Sequence, residues 1–292
     1  MWNSIRRRLR RPAFPAGHFY SPLVDSDDIA LHRDEIWPAM PAIHGIDFDD
    51  ASHRRILAET FPRFIGDYDY PETANSDAAP LQFFSRNSQF GWLDARVLFV
   101  LLRDWRPRRI VEVGAGYSTL LMSDVNVRWL EAHCRITCIE PFPRSFLTTT
   151  PARVAEVVEI PVQRAPLALF AELEAGDVLF VDSSHVSKTG SDVNFLVFEV
   201  LPILQPGVRV HFHDIFLPHD YPPDWVMKDE RNWNEQYLVR ALLMYSTAFH
   251  VTFGSNYALH AYPELVAAAL RVPRAGVFGG GSLWITKVAA DS

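Results

Sequence analysis

The residues IVEVGAGYST, at positions 110–119, constrain this chain more than any other stretch. They begin as an apolar, β-branched strand, pass Glu112, and break into a tight turn at Gly114 and Gly116. Glycine adopts backbone angles that are closed to other residues, and it lets a ligand approach the backbone closely. The helix that follows would point free N–H groups at that ligand. The run therefore predicts a strand–turn–helix unit whose turn binds a ligand, and a turn without a ligand is the alternative.

Glu112 indicates which ligand the turn favours. A dinucleotide site has the pattern G-x-G-x-x-G, a pyrophosphate at the helix N-terminus and an acidic residue about 20 positions later. Here the turn reads GAGYST, so the third glycine is missing and a carboxylate precedes the first one. Because that carboxylate would oppose a pyrophosphate, the turn favours a cationic ligand. A nicotinamide-dependent oxidoreductase is therefore a distant alternative.

A second strand, RITCIE at positions 135–140, also ends in a carboxylate. Open α/β sheets bind ligands at the carboxyl ends of their strands. Glu140 is therefore placed to accept hydrogen bonds from both hydroxyls of a ribose, and a solvated loop acid before Pro141 is the alternative. Apolar residues recur at helical spacing between the two strands and predict a crossover helix; they are Leu121, Met122, Val125 and Trp129.

Two later strands end in acidic and histidine residues. The run DVLFVD has four consecutive apolar residues, typical of a strand buried on both faces of a parallel sheet, and it ends at Asp182 with His185 three positions on. The run VRVHFHD ends in His213 and Asp214, whereas His211 lies inside the strand and is interpreted as structural. In a doubly wound sheet these strand ends emerge beside the first strand. We expect Asp182, His185, His213 and Asp214 to converge on one crevice.

Taken in this order, the motifs of roughly residues 87–288 resemble the class I S-adenosylmethionine-dependent methyltransferases. The resemblance is to bacterial small-molecule O-methyltransferases and, distantly, to the catechol O-methyltransferase group. It implies an α/β fold, with a doubly wound, mostly parallel, seven-stranded Rossmann-like sheet whose final strands are antiparallel. It also implies S-adenosylmethionine as cofactor, Glu140 on the ribose and Asp182 near the transferring methyl group. The residues implied around the methionine part are Glu112, Gly114, Gly116, Ser118 and Thr119.

Other elements complete the predicted order. Strands are predicted at 157–160, 249–253 and 281–287, and helices at 52–60, 94–105, 167–174, 192–204 and 263–270, with a further helix starting near Asn234.

Methyl transfer to oxygen requires removal of the hydroxyl proton, and two routes stay open. A divalent cation such as Mg²⁺, held by Asp182 and Asp214, could lower the pKa of a bound hydroxyl. In the catechol group another oxygen ligand follows the second acidic ligand, whereas Ile215 follows Asp214 here. Glu235 or His185 could fill that gap. Alternatively, His185 or His213 could act as a metal-free general base.

The function predicted from the sequence is S-adenosylmethionine-dependent O-methylation of a small hydroxylated metabolite, such as a sugar or a natural-product intermediate. The substrate class rests on family analogy alone. A metal-dependent oxygenase on the same fold is the alternative enzyme, with iron held by His185, His213 and Asp214. The non-enzymatic alternative is a module that binds S-adenosylmethionine without turnover.

Residues 1–90 are organised differently from residues 91–292, which form the predicted methyltransferase domain. Eight prolines between positions 12 and 80 mark turns and are predicted to forbid long helices there. We interpret residues 1–90 as an N-terminal cap, or alternatively as an appendage for homo-oligomer contacts, with Tyr20 and Asn87 as candidate site residues. The aromatic loop after Asp214 is a candidate substrate lid; the residues that could line it are His219, Trp225, Trp233 and Glu235.

Composition bounds the remaining possibilities. The chain has 292 residues, 48% hydrophobic content and a net charge of −7, which indicates an ordinary globular protein and argues against nucleic acid as a partner. No stretch is long and uncharged enough for a transmembrane segment. Five arginines at positions 6–11 are interpreted as a solvated tail rather than a membrane-surface helix. Cys134 and Cys138 are interpreted as buried thiols of a reducing compartment, so the predicted location is cytoplasmic.

Overall fold

The computed structural model describes residues 13–74, 82–148, 156–273 and 279–289. The chain forms two compact units. The smaller comprises Met1–Pro41 with His219–Trp233, and the larger comprises Ala42–Pro218 with Asn234–Ser292. Whether residues 1–90 act as a cap is a question of function and stays a prediction.

The larger unit is built on one sheet with the strand order β3-β2-β1-β4-β5-β7-β6. Neighbouring strands β1 to β5 pair in parallel, whereas β7 runs antiparallel to both β5 and β6. The predicted seven-stranded, mostly parallel sheet with an antiparallel final pair is therefore confirmed. The strands are β1 (Arg109–Val113), β2 (Arg135–Ile139), β3 (Glu156–Val158), β4 (Val178–Val181), β5 (Arg209–Phe212), β6 (Phe249–Gly254) and β7 (Leu283–Lys287).

Helices cover the sheet and explain why its central strands are apolar. Every residue of β4 is buried, as expected for a parallel strand with both faces covered. The helices of the described residues are α1 (Ser26–Leu31), α2 (Arg33–Ile36), α3 (Asp50–Arg55), α4 (Phe61–Phe64), α5 (Trp92–Trp105), α6 (Tyr117–Trp129), α7 (Ser145–Thr148), α8 (Ala168–Ala171), α9 (Asp192–Phe195), α10 (Leu201–Ile203), α11 (Pro223–Met227), α12 (Glu235–Tyr245), α13 (Ser255–Ala261) and α14 (Pro263–Leu270).

Two helical runs continue through a proline, so the prediction that prolines forbid long helices in the first ninety residues was wrong at Pro62. A π-helical turn, Ile56–Thr60, joins α3 to α4 just before Pro62. The same arrangement recurs where the π turn Leu196–Val200 precedes Pro202. Proline has no N–H, and its ring clashes with the carbonyl four residues earlier in an α-helix. The wider π turn changes the hydrogen-bond register just ahead of each proline, which lets the helix continue.

Several helix and strand boundaries in the structure differ from the predicted ones by a few residues. Strand β3 is shorter than predicted and starts at Glu156, and α8 covers only the centre of the predicted helix over 167–174. Helix α14 lies where it was predicted, and the Asp49 side chain caps α3 by accepting a hydrogen bond from the Ser52 N–H at 2.9 Å.

The smaller unit holds α1, α2 and α11 together through contacts far apart in sequence. The Trp37 indole N–H donates to the Tyr221 carbonyl at 2.7 Å, and the Val24 N–H donates to the Asn232 side chain at 3.2 Å. The arginines at positions 6–11 lie outside the described residues. Among the described helices, none has the length and apolarity that crossing a bilayer requires.

Candidate active site

The glycine turn after β1 has one closed side and one open side. Gly114 has φ of +81°, and a Cβ built there would lie 1.9 Å from the backbone oxygen of Asp182. Only glycine therefore fits, because the turn passes directly against the end of β4. A Cβ on Gly116 would meet nothing within 4 Å. The turn thus packs on Asp182 through Gly114 and leaves open space in front of Gly116.

Glu112 lies beneath this turn in a closed hydrogen-bond network. Its two carboxylate oxygens accept hydrogen bonds from the hydroxyls of Ser118 and Thr119, each at 2.6 Å. The Cys138 thiol donates to it at 3.1 Å, and Thr119 also accepts the Gly116 N–H at 2.9 Å. Glu112 and Thr119 have no solvent exposure. These buried side chains stabilise the turn through hydrogen bonds. Their predicted contact with the cofactor stays a prediction.

Glu140 follows β2 and lies beside the same turn. One carboxylate oxygen accepts the Ala115 N–H at 3.3 Å, and the other accepts the Phe142 N–H at 2.7 Å. The side chain is half-buried, so a ligand in front of the turn could still reach it. This position is compatible with the predicted ribose contact, which stays a prediction.

The ends of β4 and β5 bring the four predicted catalytic residues together. His185 Nε2 lies 3.4 Å from an Asp182 carboxylate oxygen and 3.6 Å from an Asp214 oxygen. His213 Nδ1 lies 3.4 Å from Asp214 and 3.7 Å from Asp182. Both histidines are buried, whereas the Asp182 side chain keeps 33% exposure. Asp182 is therefore the most exposed member of the cluster, and the Asp214 side chain is 14% exposed.

Two of these residues have backbone angles that residues other than glycine seldom adopt. His185 has φ of +59° and Asp214 has φ of +57°. This left-handed region is unfavourable for most residues, although Asp and His tolerate it better than others. Such strain persists where the surrounding structure enforces it, often at functional sites. In this site, the left-handed backbone angles direct the side chains of His185 and Asp214 toward Asp182.

Glu235, at the start of α12, completes the surroundings of His185. Its carboxylate lies 2.9 Å from His185 Nδ1 and also accepts the Ser183 hydroxyl at 3.2 Å. Since Nδ1 is engaged by Glu235, the atom that faces Asp182 and Asp214 is Nε2. Burial alone would lower the pKa of His185, but Asp182 and Glu235 raise it to about 10.

His213 is held from its other side by Asp94, a residue of α5 that the sequence interpretation did not assign to the site. Its Nε2 lies 3.8 Å from an Asp94 oxygen, so the contact is electrostatic rather than a hydrogen bond. Asp94 accepts the N–H groups of Gly281 and Ser282 at 2.8 and 3.0 Å. Burial alone would lower the pKa of His213, but Asp214 and Asp182 raise it to about 10. The glycine-rich run before β7 is the sequence feature that could have indicated this contact, because adjacent free amides can hold a buried carboxylate.

The cluster carries an excess of negative charge. Burial would raise the pKa of Asp182, but His213 and His185 lower it to about 2, so this carboxylate is ionised at neutral pH. The cluster brings four carboxyl groups, those of Asp94, Asp182, Asp214 and Glu235, around two imidazole rings, although burial raises the pKa of Glu235. The site therefore favours a cationic ligand, whether a metal ion or a sulfonium.

Asp182, His185 and Asp214 fit a divalent cation. One ligand atom from each lies within 4.8 Å of the others, and no other group of this kind occurs in the part of the chain that the structure describes. Two carboxylates and one imidazole suit Mn²⁺, Fe²⁺ or Zn²⁺ as well as Mg²⁺. Glu235 on His185 Nδ1 matches the outer carboxylate that commonly orients a metal-binding histidine. The group includes His185, whereas the His213 of the predicted iron set lies outside it.

His211, interpreted from the sequence as structural, has its ring packed within the sheet core. It stacks on Phe180 with ring centroids 3.8 Å apart, and its Nε2 lies 2.9 Å from the Ser282 hydroxyl. Burial lowers the pKa of His211 well below its ordinary value, so the ring is neutral. His211 therefore has a structural role, in the core beside the site.

Known proteins resemble this chain in sequence and in fold. Residues 111–215 match the methyltransferase-domain family. An uncharacterized protein of Archaeoglobus fulgidus is 32% identical over 183 residues, which are 60% of this chain and 82% of that protein. Among solved structures, a putative O-methyltransferase from Klebsiella pneumoniae is 18% identical with a TM-score of 0.38, covering 91% of this chain and 97% of its own.

A second solved structure is the O-methyltransferase from Bacillus cereus in complex with SAH. It is 13% identical with a TM-score of 0.39, and the match covers 90% of this chain and 97% of that one. The family match begins in β1, passes the glycine turn, and ends one residue after Asp214, so it includes the turn and the ends of β4 and β5 but neither Asp94 nor Glu235. The chain therefore belongs to the methyltransferase-domain family, and its seven-stranded sheet has the Rossmann-like strand order of the class I fold.

Proposed function

We propose that this enzyme methylates a hydroxyl oxygen of a small hydroxylated metabolite, such as a sugar or a natural-product intermediate. One observation carries the proposal: Asp182 belongs to both halves of the site. Its backbone oxygen closes against Gly114 of the glycine turn, and its side chain joins the cluster with His185 and Asp214. A cofactor seated on the turn would therefore lie beside the groups able to bind and deprotonate an acceptor.

S-adenosylmethionine, when bound, supplies an electrophilic methyl group on a sulfonium. The chain's own residues would bind and orient it: Gly116 leaves the space, Glu140 can accept ribose hydroxyls, and the anionic cluster favours the positive charge. The hydroxyl proton of the acceptor would leave toward the cluster at Asp182, and S-adenosylhomocysteine would be the second product. Alignment and exclusion of water supply most of the acceleration in such a displacement.

We further propose that Asp182, His185 and Asp214 hold a divalent cation. The metal-free alternative, with His185 or His213 as base, has both rings already surrounded by carboxylates that favour the protonated imidazole. A divalent cation would supply the positive charge instead and would lower the pKa of a bound hydroxyl. His185 presents Nε2 to this position because Glu235 occupies Nδ1.

Calorimetric titration of the metal-stripped protein with S-adenosylhomocysteine tests the cofactor assignment. We expect micromolar binding that weakens at least tenfold in Glu140→Ala, a loss of about 1.4 kcal/mol. Glu159→Ala, which removes an exposed carboxylate after β3, is the matched control and should bind like the wild type. Absence of binding, with or without Mg²⁺, would contradict the proposal.

A second titration addresses the metal. We expect Mg²⁺ or Mn²⁺ to bind the wild type, and Asp214→Asn to weaken metal binding while S-adenosylhomocysteine still binds. Methylation of hydroxylated acceptors should then depend on the metal and on Asp182. Oxygen consumption by iron-loaded protein would support the oxygenase alternative instead. Tight cofactor binding without turnover on any hydroxylated acceptor would support a binding module.

A further inference from the structure

A cavity of about 740 Å³ lies in the larger unit, at the amino-terminal ends of the parallel strands. Gly176 precedes β4 there, and Arg209 is the first residue of β5. The cluster of carboxylates and histidines follows the other ends of the same two strands, so the two sites are separate. A volume of this size is typical of small-molecule sites. We call it the amino-end cavity; its lining includes Asp49, Arg55, Trp105, Arg209, His250 and Thr286.

Three lining side chains form a row along one face of the sheet. Thr286 of β7 lies directly opposite Arg209 of β5 on one side and His250 of β6 on the other. Residues paired in this way project to the same face, with Cβ atoms about 5 Å apart. Thr252 joins the row, because its hydroxyl lies 2.8 Å from the Thr286 hydroxyl. A guanidinium group, two hydroxyls and an imidazole therefore line the cavity side by side.

The guanidinium group of Arg209 is held in a fixed position. Its central carbon lies 4.4 Å from the centroid of the Trp105 ring, and one N–H donates to the Gly176 carbonyl at 2.8 Å. Burial lowers the pKa of Arg209 below its ordinary 12.5, because the half-buried charge is incompletely hydrated. A fixed guanidinium group of this kind presents its remaining N–H donors to a ligand at little cost in side-chain entropy.

The acids near Arg209 are engaged elsewhere. Asp104 and Asp177 both act on its charge, but neither forms an ion pair with it among the residues that the structure describes. Asp104 pairs with Arg63 at 2.8 Å, and Asp177 accepts two backbone N–H groups, each at 3.0 Å. Arg209 therefore keeps a positive charge that an anion in the cavity could neutralise.

A second arginine enters the same lining from α3. Helix α3 packs on β6, where the Ser52 hydroxyl donates to the Thr252 carbonyl at 2.8 Å. Arg55 of this helix is exposed and makes no hydrogen bond or ion pair within the described parts of the chain. Asp49, the one acid of the described lining, already accepts the Ser52 N–H at 2.9 Å. The lining thus carries more positive than negative charge, although the whole chain has a net charge of −7.

We propose that the amino-end cavity binds a small phosphorylated molecule, with its phosphate group on Arg209 and Arg55. The donors come from β5, β6 and α3, and such a spread suits a tetrahedral phosphate with several acceptor oxygens. A planar carboxylate would be satisfied by one guanidinium group. The cavity is much larger than a phosphate group, so it has room for an organic part beside the hydroxyls of Thr252 and Thr286.

Phosphorus NMR titration of the metal-stripped full chain with glycerol phosphate tests the proposal. We expect saturable binding, with glycerol failing to compete and succinate competing at least tenfold more weakly than inorganic phosphate. Arg209→Gln should weaken binding at least tenfold, because a charge-assisted hydrogen bond is lost. Arg55→Gln should weaken it at least threefold, and this exposed position leaves the fold intact.

Two controls locate the binding. Arg164→Gln removes an exposed arginine elsewhere and should bind glycerol phosphate like the wild type. Saturating S-adenosylhomocysteine should leave the titration unchanged, because the proposed cofactor site lies at the other ends of the strands. Absence of binding, equal losses in Arg164→Gln, tighter binding of succinate, or displacement by S-adenosylhomocysteine would each overturn the proposal. The proposal does not depend on methyl transfer, and thermal melts of each variant verify folding.

Discussion

His185 Nδ1 lies 2.9 Å from a carboxylate oxygen of Glu235, although 50 positions separate the two residues in sequence. The contact joins the loop after β4 to the first residue of α12. Two backbone hydrogen bonds reinforce it, since the N–H groups of Asn234 and Glu235 both donate to the His185 carbonyl. Glu235 therefore fixes both the position and the ring orientation of His185, and this fixes the direction of Nε2.

Replacing Glu235 with Gln should weaken metal binding without removing a metal ligand. Losing such an outer carboxylate typically costs 10- to 100-fold in metal affinity, because the imidazole becomes less basic and less well oriented. Titration with Mn²⁺ would measure the change, with Glu199→Gln at an exposed site as control. Unchanged affinity in Glu235→Gln would show that the negative charge of Glu235 does not support a metal ion at His185.

The two glycines of the turn should respond differently to alanine. Gly114→Ala places a methyl group against the Asp182 backbone at a positive φ, and we expect a loss of more than about 3 kcal/mol of unfolding free energy. At about 2 °C per kcal/mol, the melting temperature should fall by at least about 6 °C.

Gly116→Ala places its methyl group in open space, although the backbone there has φ of −171° and ψ of −128°, which alanine disfavours, so it should lose clearly less unfolding free energy than Gly114→Ala. Its methyl group enters the space proposed for the cofactor, and S-adenosylhomocysteine should bind at least tenfold more weakly. Wild-type affinity in a folded Gly116→Ala protein would place the cofactor elsewhere.

His53 should make the protein less stable in mild acid. The ring is fully buried; its Nε2 accepts the Gly254 N–H at 2.8 Å, and its Nδ1 lies 3.1 Å from the Asp49 carbonyl. Burial lowers the pKa of His53 below its ordinary 6.5, because the protonated ring would lose its hydration in the protein interior. The unfolded chain therefore binds the proton more readily, and unfolding free energy falls as pH drops below 6.5.

Urea unfolding between pH 5.5 and 7.5 would measure this slope. His53→Gln should be less stable overall but should show a shallower pH dependence than the wild type. His250→Gln, at an exposed position of β6, should keep the wild-type slope. If the pH dependence of the unfolding free energy persists in His53→Gln, other groups cause it.

The sequence predicted those residues of the candidate site whose positions follow from local sequence patterns. Gly114, Asp182 and Asp214 were identifiable because strand ends in a parallel sheet converge, and strand ends are legible from apolar runs. Asp94 was not identifiable in this way. Its partners, Gly281 and Ser282, lie 187 and 188 residues further along, so the contact depends on how β7 enters the sheet. The two π turns were also missed, because hydrophobic spacing at Ile56–Thr60 does not distinguish a π turn from an α-helix.

Glu112 should give the opposite pH dependence to His53. Burial raises the pKa of Glu112 to about 7, despite hydrogen bonds from Ser118, Thr119 and Cys138. Because its ordinary value of 4.5 is lower, the folded state binds the proton more tightly. The stability that this provides is complete below pH 4.5 and is lost as pH rises through about 7, a change of up to about 3 kcal/mol.

Glu112→Gln removes this titration while keeping the shape of the side chain and one acceptor oxygen. We expect its unfolding free energy between pH 6 and pH 8.5 to vary less than that of the wild type, measured in urea without cofactor. Glu159→Gln, an exposed glutamate, should retain the wild-type slope. If Glu112→Gln keeps the same slope, the carboxylate is ionised throughout this range, and Ser118 and Thr119 with Cys138 then outweigh the cost of burying its charge.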